Sequence, residues 1–173
     1  ESQGAFDLLA DIGRDCVGAL QLLPSGIVPT GITEIHARPL TDAEIEQSLV
    51  NTVTSTRPGR ADDDDDDDFR ISIAGAQEKT AFIFHEGQWC RPLGATPTTH
   101  IFKLPLGLVG ARQADMRTSV ENEWLCARVL EQFGVPVPRS EIKVFGNQKA
   151  LVVERFDRRH IAEQNYWVRL PQE

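Results

Sequence analysis

Seven consecutive aspartates, Asp62 to Asp68, most constrain what this chain of 173 residues can fold into. Carboxylates set side by side repel one another and keep their water, so the run is expected as a mobile, solvated loop rather than part of a core. Binding a metal is the lesser reading of the same block. The block also dominates the charge: the chain carries a net −8, and without those seven aspartates it would stand at −1. The acidic balance therefore reports on a loop, and it says little against or for nucleic acid as a partner.

The two sides of that block differ in pattern. Before it, Phe6 to Ile12 reads as a short amphipathic helix and Val17 to Leu23 as a strand ended by Pro24-Ser25-Gly26. Thr41-Asp42-Ala43-Glu44 is a capping box that predicts a helix from Asp42 to about Val50. After it, strands dominate. Phe69 to Ile73 leads in, and Thr80 to His85 with Gln88 to Arg91 forms a hairpin around Glu86-Gly87. His100 to Leu104 is a further strand, followed by a glycine-rich excursion through Gly107 and Gly110. Thr118 to Glu121 reads as a second capping box, opening a helix that runs to Phe133 and stops at Gly134. Glu141 to Phe145 and Lys149 to Phe156 flank Gly146-Asn147 as a second hairpin, and Tyr166 to Leu170 adds a strand. Helices that do not alternate with strands give an α+β fold, here the end of a small N-terminal subdomain (residues 1–50), an acidic linker (51–68) and a mainly antiparallel lobe with one long helix (69–173). Without a starting Met, the chain reads as a fragment. No apolar stretch reaches the roughly 20 residues of a membrane span. Cys16, Cys90 and Cys126, an odd set without C-x-x-C spacing, read as reduced thiols of a cytoplasmic protein.

The chemistry gathers in three places. Ser72 to Thr80 is a loop of small and polar residues between strands, suited to bringing backbone N–H groups close to phosphates. It is not a P-loop, because Glu78 stands where that motif has its second glycine and a strand follows where a helix should. Lys103 sits among apolar residues on a strand, and an unpaired buried ammonium is costly, so it calls for an anion. Glu123 is the candidate partner on the following helix and Glu121 the alternative. Glu154 to Phe156 ends a strand at the position of a hinge, where backbone groups and Phe156 can hold adenine. Loop, lysine, helix, hairpin is the order in which protein kinases arrange their ATP site. The four histidines have no ligand spacing and no cysteines beside them.

Phe69 to Thr80 (FRISIAGAQEKT), Pro97 to Pro105 (PTTHIFKLP) and Val153 to Arg159 (VERFDRR) resemble, in that order, motifs of the HipA serine/threonine kinase toxins. The resemblance implies a two-lobed kinase-like fold with ATP between the lobes. It implies a toxin neutralised by a DNA-binding HipB-type antitoxin, reaching operator DNA through that complex. It also implies phosphorylation of glutamate–tRNA ligase, stalled translation and persistence. Carried onto this chain, Ala74, Gly75, Ala76, Gln77, Glu78 and Lys79 would form the phosphate loop, and Lys103 would contact phosphate. Glu154, Arg155 and Phe156 would form the adenine hinge, and Gln172 would face the adenine pocket. Ser72 would be the autophosphorylation site that switches the enzyme off, since a phosphate of about −1.5 to −2 charge beside the loop repels nucleotide phosphates.

The catalytic aspartate and the Mg2+ ligands of that family belong to a second lobe, and no Asp-x-x-x-x-Asn loop stands in this chain. No catalytic or metal residue is therefore assigned within it. The competing reading is a non-catalytic module that binds nucleotide or antitoxin with a kinase-like lobe.

Overall fold

The computed structural model describes residues 13–23, 25–30, 32–54 and 77–172. The helix expected at Phe6 to Ile12, the acidic run, the lead-in strand Phe69 to Ile73, and Ser72 with Ala74 to Ala76 lie outside them.

A six-stranded antiparallel sheet organises the chain. Its strands are β1 (Ala37–Pro39), β2 (Lys79–His85), β3 (Gln88–Pro92), β4 (His100–Lys103), β7 (Ser140–Phe145) and β8 (Gln148–Glu154), in the order β1-β3-β2-β4-β8-β7. The excursion after β4 forms a small hairpin, β5 (Gly107–Val109) with β6 (Ala114–Met116), and a second hairpin pairs β9 (Arg158–Ile161) with β10 (Tyr166–Arg169). Both hairpins of the main sheet turn where sequence placed them. Glu86 and Gly87 take φ of 50° and 81°, the left-handed pair that a two-residue hairpin turn requires.

Period-two alternation assigns the faces. Phe82, Phe102 and Val152 point one way, and with Trp89 and Phe145 they meet Leu40, Ile45 and Leu49. Ile45 and Leu49 are the apolar stripe of helix α1 (Asp42–Thr54). The rings of Phe82 and Phe102 meet edge to face at 4.9 Å, those of Trp89 and Phe102 at 4.8 Å. Such edge contacts add about 0.5–1.5 kcal/mol each to area burial. The opposite face carries Lys103 and Leu151 and is crossed by helix α2 (Ser119–Gln132), whose Val120 is fully buried.

Three expectations are corrected. Val17 to Leu23 is not a strand; the chain there follows a single 3-10 turn, Gly13–Asp15. A boundary at residue 50 would cut through α1, and the core is shared, because the stripe of α1 finds its apolar partners on the sheet while β1 pairs with β3. The capping box at Thr118 does not form. Thr118 occupies the N-cap without a side-chain bond, and Glu121 instead pairs with Lys149 on β8. The box at Thr41 does form, with Thr41 N–H donating to Glu44 Oε2 at 2.8 Å and Glu44 N–H donating to Thr41 Oγ1 at 3.3 Å. Arg38 closes it from β1 at 2.6 Å, and these bonds hold the Glu44 carboxyl at a pKa of about 2.

Candidate functional site

Lys103 ends β4, on the face that α2 covers, and its Nζ lies 2.5 Å from Glu123 Oε1. Glu123 is the partner and Glu121 is engaged elsewhere, so of the two candidate acids the one two residues further along the helix reaches the lysine. Both Lys103 and Glu123 keep partial exposure, which leaves the ammonium room for a second anion. Beside them lies Lys79, the register partner of Lys103 across β2 and β4. Its ammonium donates to Gln77 C=O at 2.6 Å. Burial, with the neighbouring Lys103 charge adding to it, pulls the Lys79 pKa below its ordinary value. Two cations facing each other on adjacent strands repel in the absence of an anion, and an anion placed between them relieves that repulsion. Gln77 and Glu78 fasten the approach to β2. Gln77 Nε2 donates to Leu104 C=O at 2.8 Å, and Leu104 N–H donates to Glu78 C=O at 3.0 Å.

Glu154 to Phe156, expected as the hinge, lie at the other end of the same strands. His100 and Glu154 are register partners, as are Lys103 and Leu151, so three residues, about 10 Å, separate the lysine from the hinge. Leaving β8, Arg155 N–H donates to Thr99 C=O at 2.9 Å. Phe156 is then turned outward and 68% exposed. The guanidinium of Arg155 is buried instead of facing that surface, donating to both oxygens of Asp157 at 2.9 and 2.8 Å. Gln172 sits exposed near Gly18, where a Cβ would come within 3.7 Å of its Cγ. The structure thus brings Lys79, Lys103 and Glu123 together, sets Glu154 to Phe156 apart from them along the strands, and leaves Ser72 and Ala74 to Ala76 outside the described residues.

Sequence reasoning missed a buried polar cluster around Asp15, which joins Arg155, Arg158, Arg169 and Thr98. Burial pulls the Arg158 pKa down to about 10. For Asp157 burial works upward, but the bonds from Arg155 and from Gly18 N–H, with the charges of Arg155 and Arg158, outweigh it and hold the carboxyl below its ordinary value. The only signal in sequence was the density of arginine and aspartate between 155 and 159. Among the described residues no group of three or more His, Cys, Asp or Glu gathers in a way that could hold a metal ion. None of the described helices is long and apolar enough to cross a membrane.

An antiparallel sheet with a lysine on its central strand, ion-paired to a glutamate on the helix across it, defines an α+β lobe of protein-kinase type. Residues 71–173 match the model of the HipA-like C-terminal domain, and the chain belongs to the HipA family. It is 32% identical over 156 residues to the candidate kinase Y4mE of Sinorhizobium fredii, covering 88% of this chain and 34% of that protein. It is 30% identical over 156 residues to the serine/threonine-protein kinase toxin HipA of Shewanella oneidensis, covering 90% of this chain and 32% of the toxin. A chain of the Shewanella oneidensis MR-1 complex of HipA, HipB and operator DNA superposes with a TM-score of 0.65 and 28% identity, over 98% of this chain and 36% of that one. This chain spans about a third of the length of these relatives.

Proposed function

We propose that this chain is the ATP-binding lobe of a serine/threonine kinase toxin of a toxin–antitoxin pair. The observation that carries the reading is the Lys103–Glu123 ion pair, with Lys79 opposite it and an exposed aromatic at the hinge. Lys103, oriented by Glu123, takes the α- and β-phosphates; Lys79 and the backbone of Ala74 to Glu78 take the outer ones; Glu154 to Phe156 take adenine, with Gln172 at its margin. Phosphoryl transfer is then a matter of placing the γ-phosphate and stabilising its charge, with the base and the Mg2+ ligands supplied by a second lobe. The contribution of this chain in this reading is to bind and orient the nucleotide.

The Shewanella oneidensis complex of HipA, HipB and operator DNA supports antitoxin and DNA as partners, and the target is proposed from the sequence resemblance. A HipB-type antitoxin would hold the toxin inactive and bring it to operator DNA, and glutamate–tRNA ligase would be the phosphorylated target in the cytoplasm. Ser72 would be the site of self-inactivation. The test is titration of the gene product with ATP, then incubation with Mg-ATP and glutamate–tRNA ligase, with phosphate located by mass spectrometry. The reading expects ATP binding, phosphate on the ligase and phosphate on Ser72, the last abolished by Ser72→Ala with transfer to the ligase retained. Binding without transfer to any protein would favour a non-catalytic nucleotide module, and absence of binding would remove the reading.

A further inference from the structure

Asp15, Thr98, Arg158 and Arg169 lie beyond the residues assigned to the nucleotide, yet through Arg155 they grip the hinge from beneath. The Asp15 carboxylate is 1% exposed. It accepts from Thr98 N–H at 3.2 Å, from the Thr98 hydroxyl, from Arg155 Nη1 at 3.3 Å, from Arg158 Nη2 at 3.0 Å and from Arg169 Nη2 at 3.0 Å. The backbone behind it continues the grip. Cys16 C=O accepts from Arg155 and Arg158 at 3.2 and 2.9 Å, Gly18 N–H donates to Asp157 Oδ2 at 2.8 Å, and Gly18 C=O accepts from Arg158 Nη1 at 3.0 Å. One short segment therefore ties together the residue pair before β4, the hinge and the β9–β10 hairpin.

The consequence for Phe156 follows from the turn that Phe156 and Asp157 make between β8 and β9, in which the side chains on either side of the ring, Arg155 and Asp157, are both held inward. Holding the Arg155 guanidinium inward, on Asp15, Asp157 and the Thr98 hydroxyl at 3.0 Å, turns Phe156 outward, and it is there that the ring is exposed. We infer that Asp15 is a positioning residue for the adenine subsite, acting through Arg155 to present Phe156 and the hinge backbone to the base. The inference rests on the nucleotide-site reading above and adds to it a control point more than a hundred residues away in sequence.

The experiment measures affinity for adenosine and for inorganic tripolyphosphate on the full-length gene product, alongside its melting temperature. The variants are Asp15→Asn, which weakens the direct Arg155 bond, and Thr98→Val, which keeps every charge and removes the hydroxyl that bridges Asp15 and Arg155 beside that bond. The expected result is a loss of adenosine affinity on the order of tenfold in a variant that melts cooperatively, with tripolyphosphate affinity held within about twofold. If Asp15→Asn does not fold, Thr98→Val carries the test alone. Undiminished adenosine affinity in a folded variant, or equal losses for adenosine and tripolyphosphate, would overturn the positioning role while leaving the nucleotide site intact. A wild-type protein that binds neither probe overturns both.

Discussion

Lys103 and Glu123 are twenty residues apart and meet at 2.5 Å, one at the end of a central strand, the other on the second turn of the helix that crosses it. The pair is half-open to solvent, so its direct contribution to folding is small, about 0–1 kcal/mol. Its importance is directional: it holds an ammonium where an anion can join it.

Replacing Lys103 by Ala should weaken ATP binding by on the order of tenfold to a hundredfold, since charge-assisted bonds to phosphate in a partly desolvated cleft are the strongest this lobe offers. Lys79→Ala should do less, because that ammonium already donates to Gln77 C=O. Calorimetric titration of both variants decides the order. A larger loss at Lys79 would move the main phosphate contact onto the loop.

Glu121 and Glu123 offer a control built into one helix, as each carboxylate pairs with a lysine of the same sheet face. Glu123→Gln should reduce ATP affinity, and Glu121→Gln should leave it unchanged while both shift the melting temperature by a few degrees at most. Equal effects on ATP would show that the helix acts as a whole rather than through one side chain.

His100 should make the fold sensitive to mild acid. Burial, with Lys143 adding to it and Glu154 and Glu141 opposing, pulls its pKa below the ordinary 6.5. As pH falls through that value the unfolded chain takes up the proton before the folded one, so the stability present above it declines on further acidification. The melting temperature should therefore drop between about pH 7.5 and about pH 5.5, and the drop should shrink in His100→Gln. An unchanged pH dependence in the variant would assign the effect to other groups.

Phe102, fully buried, touches the rings of Phe82, Trp89 and Phe145, so Phe102→Ala should destabilise by about 3–5 kcal/mol. Phe133, 81% exposed past the end of α2, should change stability by less than about 0.5 kcal/mol when replaced by Ala. Denaturant unfolding of the two variants compares a core ring with a surface one in the same chain.

The sequence by itself determined those elements whose causes are local: hairpins turn at Glu86-Gly87 and Gly146-Asn147, α1 starts at the Thr41–Glu44 box, and α2 ends where Gly134 adopts a φ of 75°. It also narrowed the partner of Lys103 to two acids on one helix, because period and charge together left few alternatives. Which acid won was a tertiary outcome, settled by Lys149 taking Glu121 from the neighbouring strand. Tertiary structure alone joined β1 and α1 to the sheet beyond the acidic run, because an apolar stripe on a lone helix is satisfied by whichever face it can cover. It alone assembled the Asp15 cluster, whose partners stand 83 to 154 residues from it. No spacing rule reaches that far; a buried charge must find its counter-ions wherever the fold brings them, and here it brought them to the end of β8.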